Sequence, residues 1–218
     1  MKTLNKEMQA AITPSMAIQI LKDGNKRFMN NLKANRNLLE QVNETSDGQH
    51  PFAVILSCID SRTSAELIFD QGLGDVFSIR IAGNIVNEDI LGSMEFACKV
   101  AGAKVIVVLG HSKCGAVKGA CDHVEMGNLT ALLSKIQPAV FDEKSIIDNR
   151  NSSNSDFVEK VEGDVGDVLV FLNDDFHAVG EHVRFDFAHL SRQQCRHCEK
   201  CREECGENSH GSSVARVF

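Results

Sequence analysis

The segment Phe52-Ala-Val-Ile-Leu-Ser57 is almost entirely apolar and has β-branched residues at its centre. A run of this kind, without alternating polar positions, is typical of a strand that is covered on both faces of its sheet. Val76 to Ile81 and Lys104 to Leu109 predict two more strands. Because sequence of helical character separates the strands, we predict an α/β fold, a parallel sheet with helices packed on both faces.

Helical signals precede the first strand. Thr13 is a candidate N-cap, Pro14 suits the first position of a helix, and apolar residues follow at helical spacing. We therefore predict an N-terminal helical arm. Residues 32–48 are mostly polar and predict a loop.

Helical signals also lie between the strands. Thr63 and Glu66 have the spacing of a capping box that opens a short helix. Asn87 predicts the N-cap of the next helix, and Gly102 predicts its end. After the third strand, Gly110 to Gly119 predicts a turn into another helix, and a leucine-rich segment predicts one more.

Composition limits the classes of partner. The chain has 218 residues and a formal net charge of -7, with 23 basic against 30 acidic residues. This charge argues against a broad phosphate-binding surface, so we expect no nucleic-acid partner. Its apolar runs are too short to span a bilayer, and no apolar signal core follows the first lysines, so we expect no membrane partner. The default prediction is a cytoplasmic protein whose thiols stay reduced.

Two motifs carry chemistry-bearing side chains directly after predicted strands. Cys58-Ile-Asp60-Ser-Arg62 follows the first strand, and His111-Ser-Lys-Cys114 follows the third. In an open parallel sheet, ligands bind beyond the carboxyl ends of the strands. If the first and third strands are neighbours, Cys58, His111 and Cys114 converge there. Two thiolates and an imidazole are good zinc ligands, and three protein ligands leave a fourth position open, as in catalytic sites.

Each of these residues also has an ordinary structural interpretation. A lone buried cysteine is most often a small hydrophobic residue. Asp60 and Arg62 alone would be an ordinary surface ion pair. Convergence at two strand ends of one sheet edge favours the metal site, and beside a metal ligand the ion pair is better interpreted as support for that site.

Taken together, Cys-x-Asp-Ser-Arg and His-x-x-Cys resemble the β-class carbonic anhydrases. The similarity continues in Gly48-Gln-His-Pro51, in the segment from Ala65 to Asn84, and in Gly110 to Gly119 with the leucine-rich helix after it. It covers about residues 10–161 and implies the β-carbonic anhydrase fold and reversible hydration of carbon dioxide to bicarbonate.

The resemblance implies a role for each residue of the two motifs. Cys58, His111 and Cys114 would bind a zinc ion (Zn²⁺). Asp60 would accept a hydrogen bond from zinc-bound hydroxide, and Arg62 would hold Asp60 away from the metal.

The resemblance also implies a substrate site and an assembly. Gln49 would donate a hydrogen bond to bicarbonate across a dimer interface, and Phe77 and Ala82 would line an apolar pocket for carbon dioxide. The implied assembly is a homodimer or a higher assembly of dimers, with N-terminal helices that reach over the partner.

The C-terminal part departs from the family. A linker-like composition begins near Asn149, and we find no resemblance after Val161. We therefore predict a catalytic domain with its helical arm at 1–161 and an atypical tail at 162–218. The tail contains Cys195, Cys198, Cys201 and Cys205 in the spacing C-x2-C-x2-C-x3-C. We predict that these cysteines have no specific role. The alternatives are incidental zinc binding and an iron–sulfur site.

Three functions stay open on the sequence. The first is an active carbonic anhydrase, favoured by the Asp60 and Arg62 pair and by Gln49. The second is a zinc-binding or interaction protein on the same fold, impaired because the usual closing elements are missing. The third is a relative that hydrolyses carbon disulfide or a similar small molecule at the same site.

Overall fold

The computed structural model describes residues 2–166 and 168–172. The sheet contains β1 (Ala53–Ser57), β2 (Val76–Arg80), β3 (Val105–Leu109) and β4 (Val168–Leu172). The helices are α1 (Lys6–Ala11), α2 (Pro14–Met29), α3 (Leu38–Glu44), α4 (Ala65–Ile68), α5 (Glu88–Glu95), α6 (Gly115–Cys121), α7 (Gly127–Leu133), α8 (Gln137–Asp142) and α9 (Ser155–Gly166). Contacts divide the described chain into two compact units, one formed by residues 2–81, 87–109 and 169–172 and the other by residues 82–86, 110–166 and 168.

The four strands follow the order β2-β1-β3-β4. β1 is parallel to both β2 and β3, so that Ser57 lies opposite Arg80 on one side and Leu109 on the other. Every residue of β1 and β3 is buried, which explains why all of them except Ser57 are apolar. The predicted parallel sheet is confirmed, and the first and third strands are neighbours, which is the condition under which Cys58, His111 and Cys114 converge. Chain segments that follow β1 and β3 therefore leave the sheet at the same edge.

In the N-terminal arm, α2 begins where the sequence predicts. The Thr13 side chain caps α2 by accepting a hydrogen bond from the Met16 backbone N–H at 3.2 Å, with Pro14 as the first helical residue. Ala17 and Leu21 are buried, and α2 packs against α4 and β3.

The loop predicted at residues 32–48 is wrong, because this segment contains α3. Asn37 caps the helix by accepting from the Glu40 backbone N–H. The buried member of α3 is polar: Gln41 is 1% exposed, and its side-chain oxygen accepts from the Leu73 backbone N–H at 3.2 Å. Leu39 is 72% exposed. The apolar residues of α3 are thus exposed, and the helix packs through a polar side chain, which hydrophobic periodicity does not signal.

The capping box predicted from Thr63 and Glu66 is also wrong. α4 begins at Ala65, and its first turn has no side-chain cap bond. The Thr63 hydroxyl is instead 2.8 Å from the backbone oxygens of Cys58 and Asp60, so this residue closes the turn after β1.

The helix predicted from Asn87 to Gly102 is confirmed, with a change of helix type inside it. The Asn87 side chain accepts from the Ile90 backbone N–H at 2.9 Å. After α5, residues Phe96–Val100 form a π-helical turn. Gly102 follows with φ +81°, a left-handed conformation that favours glycine.

In the second unit, α9 packs against α6 and α8. Phe157 and Val161 are fully buried, and the Arg150 guanidinium lies 4.6 Å from the centroid of the Phe157 ring. α9 continues to Gly166, past the last residue at which the sequence pattern could be followed.

β4 follows α9 and lies next to β3 in the sheet. The α/β pattern therefore extends beyond Val161. The remaining tail, with Cys195, Cys198, Cys201 and Cys205, lies outside the described residues. Among the helices in the described part of the chain, none is both long and apolar enough to cross a membrane.

Candidate metal centre

Cys58 is the first residue after β1 and is 4% exposed. Its backbone oxygen accepts hydrogen bonds from the Thr63 hydroxyl at 2.8 Å and from the Arg80 side chain at 3.1 Å. These contacts fix the turn in which the cysteine lies.

Asp60 and Arg62 form a two-pronged ion pair in the same turn. Arg62 donates from Nε to Oδ1 and from Nη2 to Oδ2 of Asp60, each at 2.9 Å. The Arg62 backbone N–H also donates to Oδ1 at 2.9 Å. The Asp60 side chain is 22% exposed. The pair predicted from the sequence is therefore present, and it gives the carboxylate a defined orientation.

His111 lies two residues after β3, and its Nδ1 is 3.0 Å from the backbone oxygen of Ser112. A carbonyl oxygen only accepts, so this contact requires the imidazole proton on Nδ1. In the neutral imidazole, the lone pair then lies on Nε2, which is the state in which imidazole binds a metal ion.

Cys114 precedes α6 and is 4% exposed. Its backbone N–H donates to Oε1 of Glu162 at 2.6 Å. The preceding residue, Lys113, has φ +59°, a left-handed conformation that is uncommon for a residue with a side chain.

The candidate ligand atoms of Cys58, His111 and Cys114 all lie within 4.8 Å of one another. With zinc bonds of about 2.3 Å to sulfur and about 2.0 Å to nitrogen, a tetrahedral centre would separate its ligand atoms by roughly 3.5–3.8 Å. Two cysteine sulfurs and one imidazole nitrogen are also a donor set that zinc takes. These three residues therefore fit a zinc ion and could hold a metal. Asp60 lies outside this group.

Two other cysteines serve as an internal reference. Cys98 lies in the π-helical turn and Cys121 at the end of α6, and both are buried free thiols. The pKa of each thiol is raised to about 11, mainly by burial, and for Cys121 the charges of Asp122 and Glu162 contribute in the same direction. Both therefore remain protonated near neutral pH.

The predicted substrate residues have different surroundings. Gln49 is exposed in the segment before β1. Ala82 begins a 3₁₀ turn at Ala82–Asn84. Phe77 lies on β2, with its ring centroid 6.4 Å from that of Phe96. It lines a cavity together with Ser78, Ile79, Glu88, Asp89, Gly92, Ser93 and Phe96, and none of the three candidate ligands contributes to that lining.

Sequence reasoning missed Glu162 at this centre. The apolar residues Phe157, Val158 and Val161 have helical spacing and could have predicted α9. The contact of Glu162 with Cys114 joins residues 48 positions apart, and no local pattern signals such a contact.

The fold and the Cys-His-Cys group define a parallel α/β protein with a candidate metal centre at its sheet edge. A profile of the carbonic anhydrase family matches residues 53–184, and the chain belongs to this family. The match begins at β1 and continues past Val161.

Two mycobacterial relatives give the same assignment. Carbonic anhydrase 2 of Mycobacterium tuberculosis is 40% identical over 133 residues, which is 58% of this chain and 64% of the relative. A carbonic anhydrase of Mycolicibacterium smegmatis is 38% identical over 133 residues, covering 58% of this chain and 65% of the relative. The chain thus spans less than two thirds of the length of these curated relatives.

Solved structures share the fold. One is a tetrameric β-carbonic anhydrase of Sordaria macrospora, with a TM-score of 0.50 and 24% identity over 68% of this chain and 73% of that one. Another is a Coccomyxa β-carbonic anhydrase, with a TM-score of 0.50 and 24% identity over 56% of both chains. The described segment therefore has the fold of these two β-carbonic anhydrases.

Proposed function

We propose that this protein is a zinc-dependent carbonic anhydrase that converts carbon dioxide and water reversibly into bicarbonate and a proton. The observation that carries the proposal is the group of Cys58, His111 and Cys114, whose ligand atoms lie within 4.8 Å of one another in a chain that belongs to the carbonic anhydrase family.

In this proposal, the two thiolates and Nε2 of His111 hold the zinc ion. Zinc, when bound, lowers the pKa of water and so supplies a hydroxide nucleophile near neutral pH; carbonic anhydrase is itself the standard example of this effect. Three protein ligands leave a fourth position for the water. The bond of Nδ1 to the Ser112 oxygen keeps the imidazole in the required tautomer.

Asp60 would orient the reacting water. Arg62 donates two hydrogen bonds to Oδ1 of Asp60 and one to Oδ2, each at 2.9 Å, and these bonds hold the carboxylate in one orientation. The same bonds would keep the carboxylate from turning toward the metal and taking the fourth position. Arg62 is thus a positioning residue for Asp60.

The remaining roles concern the substrate. Carbon dioxide is uncharged, so an apolar surface such as that of Phe77 and Ala82 suffices to hold it. Bicarbonate is an anion, and a neutral donor such as Gln49 would assist its binding without trapping it. Gln49 is exposed, as expected if it acts in a partner subunit.

The proposal includes an assembly and a location. We propose a homodimer or a higher assembly of dimers, which light scattering coupled to size exclusion would measure. We also propose a cytoplasmic location, because reducing conditions keep the ligand thiols available for metal.

The test is stopped-flow hydration of carbon dioxide by the purified full chain, loaded with one equivalent of zinc. The Cys114→Ala variant, treated in the same way, is the control. We expect the zinc-loaded protein to accelerate hydration well above the uncatalysed rate and the variant to lose that acceleration. A zinc-loaded protein no faster than the variant would refute the activity and would favour the alternative, a zinc-binding protein without turnover.

A further inference from the structure

A hydrogen bond joins α9 to the loop that carries two of the three candidate ligands. Oε1 of Glu162 accepts from the backbone N–H of Cys114 at 2.6 Å. A carboxylate that accepts from a backbone N–H makes one of the stronger hydrogen bonds in proteins. The bond is partly buried and spans 48 residues, so it fixes two distant segments to each other.

The acceptor is mounted on a firmly packed helix. Phe157 and Val161 on α9 are fully buried. The Arg150 guanidinium lies over the Phe157 ring at 4.6 Å and donates hydrogen bonds to the backbone oxygens of Val140 and Ile146 at 2.6 and 2.7 Å. Glu162, directly after Val161, thus has a backbone position fixed by its neighbours.

The donor lies in a loop that needs support. Lys113 has φ +59°, a conformation that is sterically unfavourable for any residue with a Cβ atom. The N–H that Glu162 binds belongs to the peptide group between Lys113 and Cys114. With Cys114 at φ -67°, the orientation of this peptide group sets the direction of the Cα–Cβ bond of Cys114.

We propose that Glu162 is a positioning residue for the metal centre. Its carboxylate holds the Lys113–Cys114 peptide in the orientation that directs Sγ of Cys114 toward Cys58 and His111. The inference rests on the proposed zinc centre and adds to it a residue on α9, outside both sequence motifs. Groups that orient metal ligands typically contribute about 10- to 100-fold to metal affinity.

The experiment compares three variants of the full chain. Glu162→Ala removes the acceptor, Glu162→Gln keeps a side-chain oxygen that accepts the same bond, and Glu159→Ala removes an exposed glutamate of the same helix. Zinc affinity is measured by competition with a chelating indicator. In the metal-free protein, the amide proton of Cys114 is followed by ¹⁵N-resolved NMR, where a bond to a carboxylate gives a downfield shift and slow exchange.

We expect Glu162→Ala to bind zinc about 10- to 100-fold more weakly and to lose the downfield shift of the Cys114 amide. Glu162→Gln should restore most of the affinity, and Glu159→Ala should match the parent. The inference is overturned if Glu162→Ala binds zinc as tightly as the parent, or if Glu162→Gln is as weak as Glu162→Ala. If Glu162→Ala does not fold, the inference is tested by the downfield shift of the Cys114 amide in the parent and by the zinc affinity of Glu162→Gln compared with that of the parent.

These readouts are independent of turnover. A parent protein that binds zinc but does not hydrate carbon dioxide would refute the proposed function and leave this inference intact. A parent protein that is active, with Glu162→Ala unchanged in zinc affinity, would refute this inference alone.

Discussion

Two pairs of buried cysteines in this chain have nearly the same exposure and different surroundings. Cys58 and Cys114 are each 4% exposed, whereas Cys98 is 3% and Cys121 1% exposed. The first pair lies in the turns after β1 and β3, where the ligand atoms approach His111. The second pair lies within helical segments, where burial raises the thiol pKa to about 11. The position of a cysteine relative to the strand ends, rather than its burial, therefore distinguishes a candidate ligand.

The largest expected effect is the loss of metal when one ligand is removed. Cys114→Ala should lose most of its zinc, because two protein ligands cannot hold the ion tightly. Cys121→Ala is the matched control, since it deletes the same atoms from a thiol that is equally buried. Metal content after gel filtration, measured by mass spectrometry, checks the prediction. Full zinc occupancy in Cys114→Ala would show that Cys114 is not a ligand and that the two pairs do not differ in metal binding.

Thiol reactivity should separate the pairs next. At pH 8, a thiol with a pKa of about 11 is ionised in roughly one molecule in a thousand, and the thiolate is the species that reacts. We expect iodoacetamide to leave Cys98 and Cys121 unmodified whether or not zinc is present. Modification of Cys58 and Cys114 should depend on zinc, which protects its ligands. Peptide mass spectrometry gives the rate at each site, and rapid modification of Cys98 at pH 8 would contradict the account.

The surroundings of Cys58 should matter for activity even where metal is retained. Asp60→Asn keeps the volume of the side chain but weakens its hold on Arg62, and we expect about 10- to 100-fold lower turnover with unchanged zinc content. Asp47→Asn, an exposed position before β1, is the control. Equal turnover of Asp60→Asn and the parent would remove Asp60 from the mechanism.

The smallest effect concerns stability at high pH. The pKa of Cys98 rises from 9.0 to about 11 on folding, so the unfolded chain releases this proton first. The protonated thiol contributes fully to the free energy of unfolding below pH 9. This contribution decreases as pH rises toward 11, by at most about 2–3 kcal/mol per thiol. Cys98→Ala should be less stable at neutral pH, with a shallower decline above pH 9 in urea unfolding. An unchanged slope would show that this thiol does not titrate differently in the folded state.

The sequence was sufficient wherever one local pattern decided the structure. The apolar runs of β1 and β3 predicted buried parallel strands, and chemistry-bearing residues directly after them predicted the candidate metal centre, whose ligand atoms lie within 4.8 Å of one another. Asn87 predicted its helix cap because capping depends on a contact only three residues away.

The sequence failed where contacts between distant residues decide the structure. α3 is anchored by Gln41, a buried polar residue bonded to Leu73, whereas its apolar residues are exposed, so the hydrophobic pattern does not report how it packs. Thr63 binds back to the turn after β1 instead of capping a helix. The contact of Glu162 with Cys114 spans 48 residues, and no local pattern signals a contact at that separation.

The most direct test of the account is zinc X-ray absorption spectroscopy of the full chain loaded with one equivalent of zinc. The extended fine structure counts sulfur ligands separately from nitrogen and oxygen. We predict two sulfurs at about 2.3 Å, with nitrogen or oxygen ligands at about 2.0–2.1 Å, as for a Cys-His-Cys centre with an open fourth position. A shell of four sulfurs would place the zinc on the tail cysteines at 195, 198, 201 and 205, and a shell without sulfur would exclude Cys58 and Cys114. Either result would contradict the account.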